Sequence, residues 1–302
     1  MLGTVAIVGT GLIGGSIALG IKKRMLASRV VGIGHQKSSI EKARQLKAVD
    51  ACTLDITEGV RNADIVILAT PVNLIVELAR EAIPHMKGSA ILTDVGSTKS
   101  HIVTEIKKSL RNDLFFVGGH PMAGSEQRGI EWASADLFEG STCILTPDGS
   151  SASCGKNALK KIATMWESLG ANVKFLSPEE HDEVIAYVSH LPHFIASSLV
   201  NVIKEDYWQY AAGGLRDTTR IASSDADLWL SIYGQNRAKI ISAIDVFLDK
   251  ISAFKAALAN KDDAKILEML KRGKQIRDSY VSPPNPSPSK GEGKGEGGIF
   301  PV

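Results

Sequence analysis

Cysteine is scarce in this chain of 302 residues: there are three, Cys52, Cys143 and Cys154. They cannot all pair and show no metal-ligand spacing, which argues against a disulfide framework or a zinc module and points to a reducing, cytoplasmic setting. An excess of charge of one sign is missing too. With 35 basic and 33 acidic side chains the formal charge is +2, which makes no electrostatic case for nucleic acid or an anionic membrane. The first 21 residues carry no charge at all. Their six glycines, two threonines and a serine nevertheless make a poor apolar span, and no basic segment precedes them as a secretion signal requires. We therefore expect a soluble, uncleaved chain, although Gly11-x-x-x-Gly15 would also suit a helix-pairing face in a membrane. A hydrophobic content of 44% is ample for a core, and the length suggests about two domains.

Thr4-Val5-Ala6-Ile7-Val8 reads as a buried strand running into Gly9-Thr10-Gly11-Leu12-Ile13-Gly14, a G-x-G-x-x-G that opens a helix. The first glycine permits a tight turn, the second lets backbone approach a pyrophosphate, and the third lets helix and strand pack closely. A second strand-like run, Arg29 to Gly34, follows at βαβ distance, so Gly9, Gly11, Leu12, Ile13 and Gly14 are assigned to a dinucleotide. Up to residue 177 short apolar runs alternate with amphipathic stretches: Asp64 to Ala69, Val72 to Arg80, Ala90 to Thr93, Lys99 to Leu110 and Thr142 to Thr146 among them. Such alternation predicts an α/β Rossmann-type doubly wound domain with a parallel sheet over residues 1–177.

Ser177-Pro178 breaks the pattern. Over 178–280 the periodicity is helical only, with one stripe from Val184 through Val188, Leu191 and Ile195 to Leu199, and another from Ile240 through Phe247 and Phe254 to Leu258. A sustained seam of this kind wants a partner helix. It predicts an all-α helical domain and, because a domain of that size has a small core of its own, a homodimer through it. Residues 281–302 hold five prolines, five glycines and three serines and are expected to be disordered.

Chemistry concentrates in four segments. His120 stands in a small-residue turn after an apolar run, Phe115 to Gly129; Thr93-Asp94-Val95-Gly96-Ser97-Thr98-Lys99 follows a predicted strand; Ser189-His190-Leu191-Pro192-His193 lies in the first long helix; Gly213 to Arg220 precedes Trp229. With the glycine turn, these make residues 4–280 resemble the prephenate/arogenate dehydrogenase family of tyrosine biosynthesis. The resemblance implies a Rossmann domain followed by a helical dimerisation domain, with an active site in the cleft, and NAD(P)-dependent oxidative decarboxylation of prephenate to 4-hydroxyphenylpyruvate, or of arogenate to tyrosine. It matches His120 to the catalytic base and Ser97 to the serine that orients it. Arg220 matches the substrate-carboxylate arginine, with Arg216 as a second contact; His193 matches a contact to the substrate side chain, Glu126 a residue shaping the entrance, and Trp229 an apolar wall.

The chemistry suits these residue types. A neutral histidine can take the substrate hydroxyl proton near pH 7, and guanidinium captures a carboxylate bidentately. Each also has a plainer reading: Ser97 as a helix N-cap, Arg216 and Arg220 as surface charges, Glu126 as a solvated carboxylate, Trp229 as a core aromatic, and His190 as a packing histidine. Pro192 frees the Val188 carbonyl and should bend the helix.

One further absence concerns the nucleotide. NAD sites commonly carry Asp or Glu about 20 residues beyond the glycines, but Gly34 stands there and no acid comes before Glu41. His35, Lys37 and Ser38 offer donors to a 2′-phosphate instead, so we favour NADP over NAD, the alternative being NAD read through neutral hydrogen bonds. The competing functions are a β-hydroxyacid or ketopantoate-type dehydrogenase and a non-catalytic NADP sensor. A sensor has no need of a base beside a carboxylate clamp.

Overall fold

The computed structural model describes residues 1–124, 127, 129–147 and 153–280. Glu126 and the expected tail lie outside the described residues. The alternation along the chain is realised as β1 (Thr4–Val8), α1 (Leu12–Lys23), β2 (Arg29–Ile33), α2 (Lys37–Gln45), β3 (Ala51–Thr53), α3 (Ile56–Val60), β4 (Ile65–Leu68), α4 (Ile75–Ala82), β5 (Ile91–Asp94), α5 (Ser100–Ser109), β6 (Phe115–Pro121), β7 (Thr142–Pro147), α6 (Ser153–Ser168) and β8 (Asn172–Phe175). The strands form one sheet in the order β3-β2-β1-β4-β5-β6-β7-β8. The order reverses between β1 and β4, and in sheets of this kind ligands bind outside the carboxyl ends of the strands at that point.

Both faces of the sheet are covered, which is why its central strands read as unbroken apolar runs. Alternate residues serve opposite cores. Val5, Ile7, Ile65 and Ile67 join Ile17, Ile21, Phe138 and the fully buried Trp166 on one side, and Ala6, Val8, Val66 and Leu68 join Ile75, Ala79, Ile102 and Ile106 on the other. Truncating Ile67, which is fully buried, to alanine is worth roughly 2–5 kcal/mol. The small-residue face of α1 is used here as well: a side chain on Gly15 would meet Ile130 Cγ1 at 2.7 Å, so Gly15, the second glycine of Gly11-x-x-x-Gly15, serves packing inside the protein. Among the described residues no helix is long and apolar enough to cross a membrane.

The sheet departs from the expected parallel arrangement at one pair. β7 runs antiparallel to β6, with His120 opposite Ile144, while β8 is parallel to β7. Among the described residues, the segment between β6 and β7 supplies a 3-10 turn, Ile130–Trp132, and packs along α1 through Ser134 N–H to Ser16 Oγ (3.0 Å) and Arg24 to Asp136 and Glu139. With no crossover helix among the described residues, nothing there requires the strand to return parallel.

Ser177 caps α7 (Pro178–Ile185) in a full capping box with Glu180, and Pro178 takes the first helical position. A π turn, Ala186–His190, then leads into α8 (Leu191–Val202). Pro192 removes the donor that the Val188 carbonyl would use, and the widened turn is the local form of the expected bend. α9 (Gly213–Thr219), α10 (Ala226–Gln235), α11 (Arg237–Ala259) and α12 (Asp263–Tyr280) follow. Residues 1–244 form one compact unit, in which α10 sends Ile232 into the second core. From residue 245 a second unit comprises, among the described residues, the remainder of α11 and α12, and exposes Ile251, Leu258, Leu267, Leu270 and Ile276.

Candidate active site

At the end of β1 the chain turns through Gly9, at a φ of +96° that side-chain-bearing residues rarely adopt. The helical ladder of α1 starts with Gly15 N–H to Gly11 O (2.8 Å), so the amides of Leu12, Ile13 and Gly14 have no intrahelical acceptor, and Gly11 supplies no side-chain cap. A side chain at Gly11 would meet nothing within 4 Å, and the buried hydroxyls of Thr10 and of Thr70, just past β4, lack partners among the described residues. An open backbone cradle at the positive end of a helix, flanked by unsatisfied hydroxyls, fits the pyrophosphate of a dinucleotide. After β2, His35, Lys37 and Ser38 are exposed. Among the described residues the Lys37 ammonium pairs with Glu41, at 3.8 Å. A side chain on Gly34 would meet Ile40 Cγ2 at 2.6 Å, so packing disfavours any larger residue there.

At the ends of β5 and β6 the second cluster begins with a buried ion pair, Asp94 with Lys99, both side chains fully inaccessible. Asp94 also accepts from Gly96 N–H (2.9 Å) and Gly119 N–H (3.2 Å), tying the Ser97 turn to the residue before His120. A side chain on Gly119 would meet the Asp94 carbonyl at 2.8 Å, so glycine there permits the approach. Ser97 is half-buried in this turn. It is not the cap of α5: the amides of Lys99 and Ser100 donate to the two carboxylate oxygens of Asp182, on α7, at 2.7 and 2.9 Å.

Asp182 does more than cap. Its Oδ1 is 2.8 Å from His181 Nδ1, and His181 Nε2 is 2.8 Å from His120 Nδ1. A carboxylate only accepts, so His181 carries its proton on Nδ1. His181 Nε2 is then an acceptor, His120 must carry its proton on Nδ1, and the lone pair of His120 is left on Nε2. Burial, reinforced by His181 and Lys99, holds His120 well below the ordinary histidine value, so it is neutral at pH 7. For Asp182, burial would raise the carboxyl, but hydrogen bonds from His181, Ser100 and Lys99 outweigh it and keep the group ionised. The arrangement locks the tautomer of His120.

Beside it, the Asn236 amide donates to the Asp182 carbonyl (2.7 Å) and lies 3.2 Å from His190 Nδ1, so His190 is bound at one nitrogen while its Nε2 has no partner among the described residues. On α8, His193 is stacked on Trp229 and paired with Tyr233. Trp229 is thus held against this histidine and also packs, half-buried, against the second core. Arg216 and Arg220 are exposed on α9 and the turn after it, and that turn packs against α8. Of the residues singled out in the sequence, the structure brings His193 and Trp229 together and places Ser97 in the turn tied to the strand of His120. His181, Asp182, Lys99, Asp94 and Tyr233 had been given no role. Their local signals were the Thr93–Lys99 segment after a strand, the His-Asp pair at the start of a helix and a tyrosine four residues beyond Trp229.

Residues 17–175 match the nucleotide-binding domain of prephenate dehydrogenase, and residues 177–272 match its dimerization domain. The chain belongs to the prephenate dehydrogenase family. It is 37% identical over 288 residues to prephenate dehydrogenase of Bacillus subtilis, covering 92% of this chain and 76% of that one. It is 34% identical to the cyclohexadienyl dehydrogenase of Zymomonas mobilis, over 90% and 94% of the two chains. Prephenate dehydrogenase of A. aeolicus, solved with hydroxyphenyl propionate and NAD+, superposes with a TM-score of 0.86 at 33% identity over 93% of this chain and 99% of that one. Likeness to a 3-hydroxyisobutyrate dehydrogenase, at 14% identity and a TM-score of 0.51, is one of fold alone. As a prephenate dehydrogenase family member the chain is an NAD(P)-dependent oxidoreductase with a nucleotide-binding domain and a dimerisation domain.

Proposed function

We propose that this chain oxidises prephenate to 4-hydroxyphenylpyruvate and carbon dioxide in tyrosine biosynthesis, with His120 as the base. The tautomer-locked lone pair on His120 Nε2 is the observation that carries this reading. Gly9, Gly11, Leu12, Ile13 and Gly14 hold the pyrophosphate, and the bound oxidised nicotinamide supplies the hydride acceptor. His120 Nε2 accepts the C4 hydroxyl proton as the C4 hydride departs, with Ser97 orienting the hydroxyl. Positive charge developing on His120 is stabilised through His181 by the Asp182 carboxylate. Loss of the ring carboxylate as carbon dioxide leaves its electron pair in the ring, and the resulting phenolate takes the proton back from His120. A buried base with a low proton affinity returns it readily.

Arg220, with Arg216 as a second contact, holds the substrate carboxylate, His193 faces the side chain, Trp229 forms a wall and Glu126 shapes the entrance. NADP is the favoured nucleotide, with His35, Lys37 and Ser38 on the 2′-phosphate. We place the functional boundary between residues 177 and 178, assign the exposed apolar helices after it to a homodimer, and assign the protein to the cytoplasm. Steady-state kinetics with prephenate and arogenate, each with NADP and NAD, test the whole reading. The expected result is turnover of prephenate with a lower KM for NADP. His35→Ala combined with Lys37→Ala should raise the KM for NADP and spare that for NAD. A tenfold wild-type preference for NAD refutes the nucleotide assignment.

A further inference from the structure

Trp229 and Tyr233 are one turn apart on α10, and both engage His193. The indole lies flat on the imidazole, with ring centroids 3.5 Å apart and planes inclined by 7°, and the tyrosine hydroxyl is 2.7 Å from His193 Nδ1. His193 is 6% exposed, and its Nε2 has no partner among the described residues. Burial pushes the Tyr233 phenol up to about 12 and lowers His193, so both are neutral at pH 7. A neutral imidazole has a single N–H, and the partner at Nδ1 decides what Nε2 offers. When the hydroxyl donates to Nδ1, Nε2 carries the proton and is a donor, which suits a keto or carboxylate oxygen. When the hydroxyl instead accepts from Nδ1, Nε2 presents a lone pair, which suits an ammonium. A hydroxyl can do either by rotation alone. The stacked indole holds the ring plane in place, so the change moves protons and leaves the ring where it is.

We propose that Tyr233 is a specificity-determining residue that lets His193 accept either terminus of a cyclohexadienol side chain, keto as in prephenate or amino as in arogenate. The proposal rests on the placement of His193 toward the substrate side chain given above. Tyr233→Phe keeps the ring and removes the rotor. With no acceptor at Nδ1, the tautomer with a bare Nδ1 lone pair prevails, because a buried orphan N–H is tolerated less often than an under-used acceptor. His193 Nε2 is then fixed as a donor and meets an ammonium with the wrong polarity.

The test is kcat/KM for prephenate and for arogenate, at saturating nucleotide, in the full-length wild type and in Tyr233→Phe, with thermal unfolding measured alongside. The wild type is expected to turn over both substrates. Tyr233→Phe should raise the prephenate-to-arogenate ratio about tenfold or more, the scale set by one mispaired buried polar group. His193→Gln offers a donor and an acceptor on one amide, so adding Tyr233→Phe to it should leave the ratio unmoved. A wild type active on prephenate and inert toward arogenate overturns the switch, as does a Tyr233→Phe variant that lowers both substrates equally. A wild type inert toward both overturns the functional reading beneath it.

Discussion

Asp182→Asn preserves the shape of the side chain and removes its charge and one acceptor. In the wild type Oδ1 takes the Lys99 amide (2.7 Å) and His181 Nδ1–H (2.8 Å), and Oδ2 takes the Ser100 amide (2.9 Å). Asparagine has one oxygen for these three donors. With that oxygen at the Oδ1 position, its NH2 group faces the Ser100 N–H; with the amide flipped, the NH2 faces the Lys99 N–H and His181. A hydrogen bond to a charged group contributes about 1.5–3 kcal/mol, and a buried amide left without an acceptor costs a similar amount, so a stability loss of about 2–5 kcal/mol is expected. The flipped amide also reverses both imidazoles, leaving a proton on His120 Nε2 where the lone pair is needed. In either orientation the anion that stabilises the protonated base is gone. The kcat for prephenate should fall by about 10²–10⁴ at neutral pH. The KM for the nucleotide should hold, because the glycine turn follows β1 and shares none of these bonds. Reduced-nicotinamide absorbance across pH, with thermal unfolding in parallel, measures both effects. His181→Gln leaves the α5 cap intact and should lower kcat on the same scale with a smaller stability loss. A folded Asp182→Asn enzyme with wild-type kcat and an unchanged pH profile would refute the relay.

Three further outcomes are expected. His120→Asn should lower kcat by roughly 10²–10⁴ with little change in nucleotide affinity; near-normal kcat in a folded variant removes His120 from the chemistry. Arg220→Ala should raise the KM for prephenate at least tenfold and Arg220→Lys should recover only part, because ammonium keeps the charge without the two-pronged bond; normal prephenate binding in Arg220→Ala alongside a defect in Arg216→Ala reassigns the clamp. Burial lowers His190 from the ordinary 6.5 to about 4. The unfolded chain therefore takes up a proton near pH 6.5 while the folded one does not, and stability that is complete above pH 6.5 is lost as the pH falls toward 4, by about 3 kcal/mol. Urea midpoints at pH 7 and 4.5 should diverge less in His190→Gln than in the wild type, and equal divergence would contradict this.

The features legible in the sequence are those encoded within a few neighbouring residues. The glycine turn, the strand and helix alternation and the Ser177-Pro178 start of the helical segment each depend on local sterics and on periodicity, and each stands where the pattern put it; His120, expected in a turn after the apolar run, instead lies within β6 and is buried. The direction of β7 was not legible, because a segment without helical periodicity does not state how the strand after it returns. Nor was the chain of contacts that sets the His120 tautomer. His120 and His181 are 61 residues apart, and Asp182 and the Lys99 amide 83. Which nitrogen of an imidazole holds the proton is a property of its partners, and those partners meet only when α7 packs against α5 over the ends of the strands. Composition, motif and family resemblance thus pointed to a nucleotide-binding oxidoreductase, while tertiary packing alone decided which nitrogen of His120 keeps a lone pair, since a tautomer is chosen by contacts that no stretch of sequence contains.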